Sequence, residues 1–409
     1  MSDRIILHCD CNSFFASVET ALNPAYKDLP MAVCGSVEDR HGIVLAKNEL
    51  AKKYGIKTAE TVFSAKQKCP SLVIAEAHYR EYAKYSRAVN AIYARYTDMI
   101  EPFGIDESWL DVTASEKLFG TGFEIAERIR REVREELGIT VSVGVSFNKV
   151  FAKLGSDYKK PDATTVISRE NYKDIVYPLP VGDLLFVGRR TEKQLLLMGI
   201  KTIGDLAKTS EQLLLTKFGK AGETMYRNAA GLEDSPVVRA EEKEDTKSVG
   251  SGFTFKHDLV ERDMCRVGIE YLADDIGARL RGLGMKCSTV QLTIKDDQLH
   301  SVQRQRTQHP PTDIAREIAD TAYAILLDEW DGETPIRMIT VTASSLVKDN
   351  CDAEQIEFFS PSNEKSREKS KKREQIVDQI RKKYGADAVI NGAIMNTDIG
   401  IYKPKHGKK

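Results

Sequence analysis

The sequence predicts an α+β protein of several domains, in which two βαββαβ units flank a small helical region. The length supports this, because 409 residues at ~150 residues per domain give about three domains. Short apolar runs alternate with helical patterns in residues 1–160 and again in residues 248–346. Between these units, residues 178–231 show helical pieces separated by glycines and no strand pattern.

The composition excludes several classes of protein. With 41% hydrophobic and 30% charged residues, the chain has the composition of a folded protein and not of a disordered or fibrous one. No apolar run approaches the ~20 residues that a membrane helix needs. The seven cysteines contain no C-x-x-C pair, which predicts neither a disulfide framework nor a zinc site. We therefore expect a cytoplasmic protein without membrane contact.

Charge is distributed unevenly along the chain, although the formal net charge is −1. Residues 360–409 contain thirteen Lys or Arg against six Asp or Glu. A second basic stretch runs from Arg279 to Arg306. Such stretches are either solvated surface or a face that binds nucleic acid, and the composition leaves both interpretations open.

The elements of the first unit follow one another in a recognisable order. The run RIILHCD predicts a strand, and SFFASVETAL predicts a helix with Ser13 as its N-cap. Residues 30–78 indicate a small insertion with strands PMAVCG and GIVLAKN and two short helices. The unit continues with a helix over 79–99, a hairpin of MIEPFGI and SWLDVT, a helix over 123–137, the strand TVSVGVS and a helix from Asn148. This order predicts a ferredoxin-like sheet with an insertion in its first crossover.

The second unit repeats this order without similarity in its letters. It follows the charged stretch AEEKED (240–245), which predicts a linker because it has nothing to bury. Its elements are the strand SVGSGFTF, a helix over 262–283, the strands STVQLTIKD and SVQRQRTQ, a helix over 313–330 and the strand IRMITVTASSLV. The two units therefore share only the order of their elements.

Three acids carry the predicted chemistry. Asp10 ends the first strand, and Asp106 with Glu107 occupies the turn of the hairpin. The first strand of a ferredoxin-like sheet lies beside the third, so the three carboxylates converge and repel one another unless cations lie between them. Hard oxygen ligands select Mg²⁺ or Mn²⁺, and two such ions activate an attacking oxygen and stabilise a leaving phosphate. Alternatively, each acid is a solvated turn residue, and we expect Asp111 to hold the hairpin by hydrogen bonds.

Three stretches resemble a known family. HCDCNSFFASVE, IDESWLDVT and VSVGVSFNKVFAKLGSDYKKPD are similar to the three ordered motifs of the Y-family DNA polymerases, and most similar to those of the bacterial DNA polymerase IV type. The resemblance extends from Arg4 to about Leu346. It implies a multidomain right-hand architecture with a palm (1–29 and 79–168), inserted fingers (30–78), a helical thumb (169–239), a linker (240–247), a little finger (248–350) and a tail (351–409).

The resemblance also implies a metal site. Asp10, Asp106 and Glu107 match the family's catalytic metal ligands, and the main-chain carbonyl of Cys11 completes the coordination. The implied cofactor is a pair of Mg²⁺ ions, for which Mn²⁺ is a substitute. The strand arrangement above leads to the same three acids. On the following helix, Lys149 and Lys153 face either phosphates or water.

A second set of implied residues surrounds the nucleotide. Phe15 matches the steric gate, a ring that leaves no room for a ribose 2′-hydroxyl, and Phe14 is assigned to the core. The chain departs from the family in its fingers, where Ala46, Glu49 and Lys52 replace the usual Thr or Ser, Tyr and Arg. The effect of these three residues on triphosphate binding stays open. The implied nucleotide-binding residues are Ser13, Phe14, Phe15, Lys52 and Lys160.

DNA contacts are implied in the thumb and the little finger. FVGRRTEKQLLLMGIKTIGDL resembles a helix-hairpin-helix element, with Phe186 where a first glycine is usual. Main-chain N–H groups at such a junction bind a DNA phosphate, whereas the alternative for the remaining Gly188 is a helix cap. Basic strands in the little finger would follow the DNA backbone. The DNA-binding residues so implied are Gly188, Arg189, Arg190, Arg279, Lys286, Arg304 and Arg306.

A short peptide after the little finger resembles the segment with which bacterial polymerases dock on the sliding clamp. Its residues are Gln355, Ile356, Phe358 and Phe359. Adjacent aromatics in a linker need a partner groove, or else they cover the core of their own domain. The basic tail beyond this peptide is a solvated run or a contact with DNA or a partner.

The resulting prediction is a DNA-directed DNA polymerase of low fidelity that adds deoxynucleotides to a primer 3′-hydroxyl in translesion synthesis and DNA repair. Its expected partners are primer-template DNA, deoxynucleoside triphosphates and the sliding clamp, and its expected state is a monomer. The altered fingers motivate an alternative, a weak or inactive relative that binds DNA and recruits other repair proteins. The presence of all three acids argues against this alternative, because a protein that only binds DNA has no use for a cluster of carboxylates without cations between them.

Overall fold

The computed structural model describes residues 4–36, 42–239, 242, 246–349, 361–395 and 397–401. Apart from Ser36 and Gly42, the described residues up to Glu242 form one compact unit, and those from Thr246 onward belong to a second. Among the described residues, none of the helices combines the length and the apolar composition needed to span a lipid bilayer.

The first unit alternates strands and helices. Its strands are β1 (Ile6–Cys11), β2 (Met31–Cys34), β3 (Val44–Lys47), β4 (Val73–Glu76), β5 (Ile100–Pro102), β6 (Glu107–Asp111), β7 (Val141–Ser146) and β8 (Thr164–Ile167). Its helices are α1 (Phe14–Leu22), α2 (Glu49–Lys52), α3 (Val62–Lys68), α4 (Tyr79–Tyr93), α5 (Glu116–Phe119), α6 (Gly122–Leu137), α7 (Lys149–Tyr158), α8 (Tyr172–Val176), α9 (Arg189–Leu197), α10 (Ile203–Lys208), α11 (Glu211–Phe218) and α12 (Lys220–Ala229).

The main sheet of this unit has the strand order β5-β6-β1-β7-β8. Strand β1 pairs antiparallel with both β6 and β7, so the first strand lies beside the third, as predicted. The four strands β1, β5, β6 and β7 therefore have the ferredoxin-like arrangement. Strand β8 pairs parallel with β7 and extends the sheet by one strand that the sequence pattern did not predict.

The two faces of this sheet pack against different helices. Alternate residues of β1 point to opposite faces, and Leu7 and Cys9 join the buried core beneath α4 and α6. His8 and Asp10 lie on the other face, where α7 packs. Gly144 permits this packing, because a Cβ atom there would lie 1.9 Å from the carbonyl oxygen of Ala152. The close approach of α7 brings its side chains to the ends of β1 and β6.

The described residues between 31 and 76 form the predicted insertion. They fold into a three-stranded sheet of order β3-β2-β4 with its own small core, which includes Val44, Ile56 and Leu72. The sequence pattern predicted β2, β3 and both helices but not β4. Residues 172–229 contain only helices, α8 to α12, as the glycine-separated pattern predicted.

The second unit also has the element order βαββαβ. Its strands are β9 (Ser248–Leu259), β10 (Met285–Asp296), β11 (Ser301–Thr312) and β12 (Ile336–Lys348), and its helices are α13 (Arg262–Leu283), α14 (Ala315–Glu329), α15 (Pro361–Tyr384) and α16 (Gly392–Met395). The strand order is β11-β10-β12-β9, so here the first strand lies at the edge of the sheet and pairs with the fourth strand but not with the third. The two units thus share an element order but differ in sheet topology.

The basic tail belongs to this second unit. Arg281 of α13 is nearly buried and forms ion pairs with Glu374 (2.5 Å) and Asp378 (2.6 Å) of α15. Arg367 pairs with Glu317 of α14 at 2.6 Å, and Ile399 is part of the hydrophobic core. Much of the described tail is therefore docked on the unit through its own charges, an arrangement that neither interpretation of the sequence included.

Candidate active site

The two carboxylates at the end of the main sheet face each other across paired strands. Asp10 of β1 is the direct cross-strand partner of Glu107, the first residue of β6, so both side chains lie on the same face. Asp106 precedes them in the turn, and its carbonyl oxygen accepts a hydrogen bond from the Cys11 N–H at 3.0 Å. The structure therefore brings the three predicted acids to one end of the sheet.

Two lysines balance the negative charge of these acids. The Lys153 ammonium lies 2.9 Å from Asp10 Oδ2 and 2.7 Å from Glu107 Oε2. Lys160 reaches the same Asp10 oxygen at 2.7 Å and also contacts Asp157 at 2.6 Å. Both lysines come from α7 and the loop that follows it. The close packing of α7 at Gly144 is what places Lys153 here.

The acids differ in their affinity for a proton. Burial, with the nearby charges of Asp10 and Glu107, raises the pKa of Asp106 to about 6. Burial also acts to raise the pKa of Glu107, but its contacts with His8 and Lys153 outweigh this and hold it at about 2. Although burial favours the neutral amine, the surrounding carboxylates raise the pKa of Lys153 above its ordinary value. Glu107 thus stays ionised across the physiological range.

The donor atoms at this end of the sheet fit a divalent cation. One oxygen of Glu107, Oε2, is buried and accepts no well-directed hydrogen bond within the described residues. Ligand atoms of His8, Asp10 and Glu107 lie within 4.8 Å of one another, whereas Asp106 lies outside this group. Carboxylate oxygens are the donors that Mg²⁺ and Mn²⁺ prefer.

Phe15 packs against two tyrosine rings. Its ring stacks on Tyr82 with centroids 4.2 Å apart and planes 12° apart, and it meets Tyr79 edge-on. The Tyr82 hydroxyl donates to the buried Glu19 at 2.5 Å, and His78 Nδ1 lies 3.0 Å from the same carboxylate oxygen. Phe15 therefore has its ring held by two tyrosines, and the residue is partly exposed.

Phe14 is buried among the core residues, as predicted. Its side chain is therefore unavailable to a nucleotide, which leaves only its main chain for the nucleotide contact that the resemblance implied. Asp111 also behaves as predicted, because its carboxylate accepts hydrogen bonds from the N–H (3.0 Å) and hydroxyl (2.6 Å) of Thr113.

The unusual residues of the insertion form a small polar group. Glu49 pairs with Lys52 at 2.5 Å, and the Ser13 hydroxyl donates to the same Glu49 oxygen at 3.2 Å. Both charged side chains are exposed. The positive charge of Lys52 is therefore offset by Glu49, one helical turn away. Glu49 also lies beside Ser13, the residue before Phe14.

The loop that carries Lys160 is fixed by a buried amide. Asn12 Oδ1 accepts from the Asp162 N–H at 2.8 Å and from the Thr140 hydroxyl at 3.0 Å. Its Nδ2 donates to Ser142 at 2.8 Å. Asn12 thus connects the loop after α7 to the end of β1 through hydrogen bonds.

The residues implied in DNA binding have varied surroundings. Gly188 is the N-cap of α9, and Arg189 and Arg190 are exposed in its first turn. Arg304 and Arg306 lie on β11 directly opposite buried residues of β10, so they point to the helix-covered side of the sheet. There they pair with Glu329 and Asp328 of α14.

Two further residues have partners in the second unit. Arg279 donates to the Gly250 carbonyl at 2.8 Å, and Lys286 pairs with Asp349 at 3.0 Å. The clamp-peptide residues lie outside the described residues; they are Gln355, Ile356, Phe358 and Phe359.

Several residues of this site were missed by the sequence patterns. His8 and Ser156 are both buried and lie beside the acids, and Tyr82, Glu19 and His78 support Phe15. Only the spacing of Phe15 and Glu19, one helical turn apart, gave any signal. The others come from distant elements, and no local pattern reveals such contacts.

Comparison with known families supports these observations. The model of the impB/mucB/samB family matches residues 9–157, and that of its C-terminal domain matches residues 246–358. A third model, described as the DNA polymerase-iota thumb domain, matches residues 182–233. Together the three matches cover the acids, the helical region and the second unit.

Similar proteins extend along almost the whole chain. DNA polymerase IV of Acetivibrio thermocellus is 46% identical over 393 residues, which is 96% of this chain and 98% of that protein. DNA polymerase IV of Clostridium kluyveri is 36% identical and DNA polymerase IV 1 of Bacillus subtilis is 33% identical, with 96% and 97% of this chain covered and 98% and 94% of those proteins. Among solved structures, a Y-family DNA polymerase chimera, Dbh-Dpo4(243-245)-Dbh, matches with a TM-score of 0.74 at 24% identity, covering 84% of this chain and 99% of that chain.

Proposed function

Because this chain belongs to the Y family of DNA polymerases, with proteins named DNA polymerase IV as relatives along its whole length, we propose that its paired acids catalyse nucleotide addition with two Mg²⁺ ions. The chain is a DNA-directed DNA polymerase of the translesion type, and it uses a divalent metal. The observation that carries the proposal is the convergence of Asp10, Asp106 and Glu107 at the end of one sheet.

The reaction joins a primer 3′-hydroxyl to the α-phosphorus of a deoxynucleoside triphosphate and releases pyrophosphate. Asp10, Asp106 and Glu107 would hold the metal ions, with the Cys11 carbonyl as a further ligand. The bound ions supply charge stabilisation for the attacking and leaving oxygens. Lys160 offers a cation beside Asp10 for the triphosphate.

Phe15 would select the sugar of the incoming nucleotide. Its ring is stacked on Tyr82, so it cannot easily move aside to make room for an added hydroxyl group. A deoxyribose lacks this hydroxyl and passes, whereas a ribose meets the edge of the ring. Lys52 would bind the triphosphate more weakly than an unpaired cation, because Glu49 offsets its charge.

A surface of the second unit suits the backbone of duplex DNA. The sheet face opposite α13 and α14 is polar, with Thr289, Gln291, Thr293 and Lys295 on β10 and, aligned with them, Gln305 on β11 and Thr342 on β12. Hydroxyl and amide groups bind phosphates without reading sequence. We propose this face as a DNA contact in addition to the basic residues of the thumb.

Primer extension by the whole chain tests this function. A labelled primer on a defined template, with Mg²⁺ and the four deoxynucleotides, should grow by the complementary base at each position. Removal of Mg²⁺ with a chelator should stop growth while DNA binding remains. Binding of primed DNA without any extension at high nucleotide concentration would favour the inactive relative that recruits other proteins.

We further propose that the QIEFF peptide (355–359) docks on a sliding clamp and that the protein acts as a cytoplasmic monomer. A double substitution, Phe358→Ala with Phe359→Ala, should abolish the stimulation of synthesis by the clamp and leave synthesis without the clamp unchanged. The reason is that the peptide lies outside the catalytic region in sequence. Loss of folding in the double variant, measured by circular dichroism, would contradict a docking role.

A further inference from the structure

An arginine of α6 holds the loop that carries Lys160. This loop, residues 159–163, connects α7 with β8 and contains Asp162, whose backbone is in the left-handed region with φ 53°. The Arg130 guanidinium donates to Asp162 Oδ1 from Nε at 3.2 Å and from Nη2 at 3.1 Å. Nη2 also donates to the carbonyl oxygen of Asp162. One side chain of α6 thus binds both the carboxylate and the main chain of the loop.

Arg130 is itself held in place by its neighbours. Its side chain is mostly buried, with 13% exposed. Its third nitrogen, Nη1, donates to Glu127, one turn earlier on α6, and to the Thr164 hydroxyl at 3.4 Å. That hydroxyl donates to Glu127 Oε1 at 2.6 Å. All three guanidinium nitrogens therefore have acceptors, and this fixes the direction in which Arg130 faces Asp162.

Two further groups bind Asp162. Its N–H donates to Asn12 Oδ1 at 2.8 Å, and its Oδ2 accepts from Arg134, one turn after Arg130 on α6. The N–H, the carbonyl and the carboxylate of Asp162 all have partners on other elements of the first unit. Such contacts support a left-handed backbone, which residues other than glycine adopt less readily. The loop is therefore fixed at Asp162 from two directions.

The position of Asp162 affects Lys160, which lies two residues earlier in the loop. The Lys160 ammonium lies 2.7 Å from Asp10 Oδ2, and 30% of its side chain is exposed, so it lies beside the acids and is accessible to a ligand. A lysine side chain is flexible, so the place of its charge depends on where its main chain begins. Only residues 159–163 separate α7 from β8, so a displacement of Asp162 also displaces Lys160.

We propose that Arg130 is a positioning residue for the incoming nucleotide. Through Asp162 it fixes the main chain of the loop and thereby the place of the Lys160 ammonium. The inference rests on the proposed function, since it takes Lys160 as a ligand of the triphosphate. Arg130 does not touch the nucleotide in this role, and it acts only through the loop.

Equilibrium binding of the nucleotide tests the inference without turnover. The whole chain is mixed with primed DNA whose primer ends in a dideoxynucleotide, and the complementary deoxynucleotide is titrated in Mg²⁺ by isothermal calorimetry. We expect Arg130→Met to raise the Kd of the nucleotide by about tenfold and to leave the Kd of the primed DNA unchanged, because a small displacement of a binding group is costly. Arg95→Met is the matched control. It removes an exposed arginine that pairs with Glu132 and Glu136 of the same helix, and it should bind the nucleotide like the wild type.

A double-substitution cycle separates positioning from a general loss of folding. If Arg130 acts through Lys160, Arg130→Met should add little to the nucleotide Kd of Lys160→Ala, in which the positioned ammonium is absent. Asp162→Asn keeps an acceptor for Arg130 and tolerates the left-handed backbone, so it should retain most of the affinity for the nucleotide. Asp162→Ala should lose affinity as Arg130→Met does. The comparison of these two Asp162 variants replaces Arg130→Met if that variant fails to fold.

Three outcomes would overturn the inference. An unchanged nucleotide Kd in Arg130→Met, or in Asp162→Ala, would show that the loop needs no support from α6. An equal rise in Kd on adding Arg130→Met to the wild type and to Lys160→Ala would show that Arg130 does not act through Lys160. If Lys160→Ala alone binds the nucleotide like the wild type, the proposed role of Lys160 fails and this inference fails with it, whereas the first two outcomes leave that role intact.

Discussion

At the scale of single residues, the site depends on charges that are placed in contact by pairing and packing. Asp10 and Glu107 are cross-strand partners, and Lys153 from α7 bridges their oxygens. The motifs in the sequence predicted all three acids. They did not predict that His8 contacts Glu107, because a histidine two residues before an acid looks the same whether it faces the core or the site.

Sugar selection is the first property to test at this scale. Phe15→Ala should raise the use of ribonucleotides relative to deoxynucleotides by about tenfold or more, equivalent to about 1.4 kcal/mol for each factor of ten. The reason is that the ring edge, supported by Tyr82, is removed and a 2′-hydroxyl fits. Single-nucleotide kinetics with both sugars measure the ratio.

Phe63→Ala is the matched control for this substitution, because it removes an exposed aromatic ring from α3 of the insertion. Its ratio should equal that of the wild type. An unchanged ratio in Phe15→Ala would place the gate at another residue.

At the scale of elements, α2 and the strand before it differ from the family pattern. The sequence showed that Ala46, Glu49 and Lys52 replace a hydroxyl, a phenol and a guanidinium. The structure adds that Glu49 pairs with Lys52 and accepts a hydrogen bond from Ser13. This contact could not be predicted from the sequence, because Ser13 and Glu49 lie on different elements.

Restoring the family pattern tests the role of α2. The double substitution Glu49→Tyr with Lys52→Arg should lower the Michaelis constant for the nucleotide by roughly ten- to a hundredfold, because charged hydrogen bonds are worth about 1.5–3 kcal/mol. The maximum rate should change little, since the acids are untouched. Steady-state kinetics measure both constants. If the Michaelis constant for the nucleotide does not fall in the restored variant, these side chains must face away from the nucleotide.

Helix α15 provides a test of stability at the same scale. Arg281→Met should lower the free energy of unfolding of the second unit by about 3–5 kcal/mol, because it leaves the Glu374 and Asp378 carboxylates without their buried cation. Urea denaturation followed by circular dichroism measures the change. Lys372→Ala removes an exposed pair with Glu368 on the same helix and should change stability by less than about 1 kcal/mol. Equal effects of the two substitutions would mean that α15 does not dock through Arg281.

At the scale of the whole molecule, the sequence predicted the order of elements better than their pairing. Both βαββαβ units were expected, yet the first strand lies between the third and fourth strands in the first unit and at the edge of the sheet, beside the fourth strand, in the second unit. Strand pairing depends on contacts between residues far apart in the chain, which local periodicity does not report. Strands β4 and β8 were missed, although β2 and β3, which also have four residues each, were predicted. The docked tail was undecided because its ion-pair partners lie in α13 and α14.

The most direct test of the central claim compares single-turnover primer extension by the wild type with that by Asp106→Asn and by Glu107→Gln. Each substitution preserves shape and removes one charge, so both variants should bind primed DNA like the wild type. Extension should fall by several orders of magnitude, because phosphoryl transfer depends on the position and charge of the metal ligands. If either variant keeps more than about a tenth of the wild-type rate, that acid is not a catalytic metal ligand.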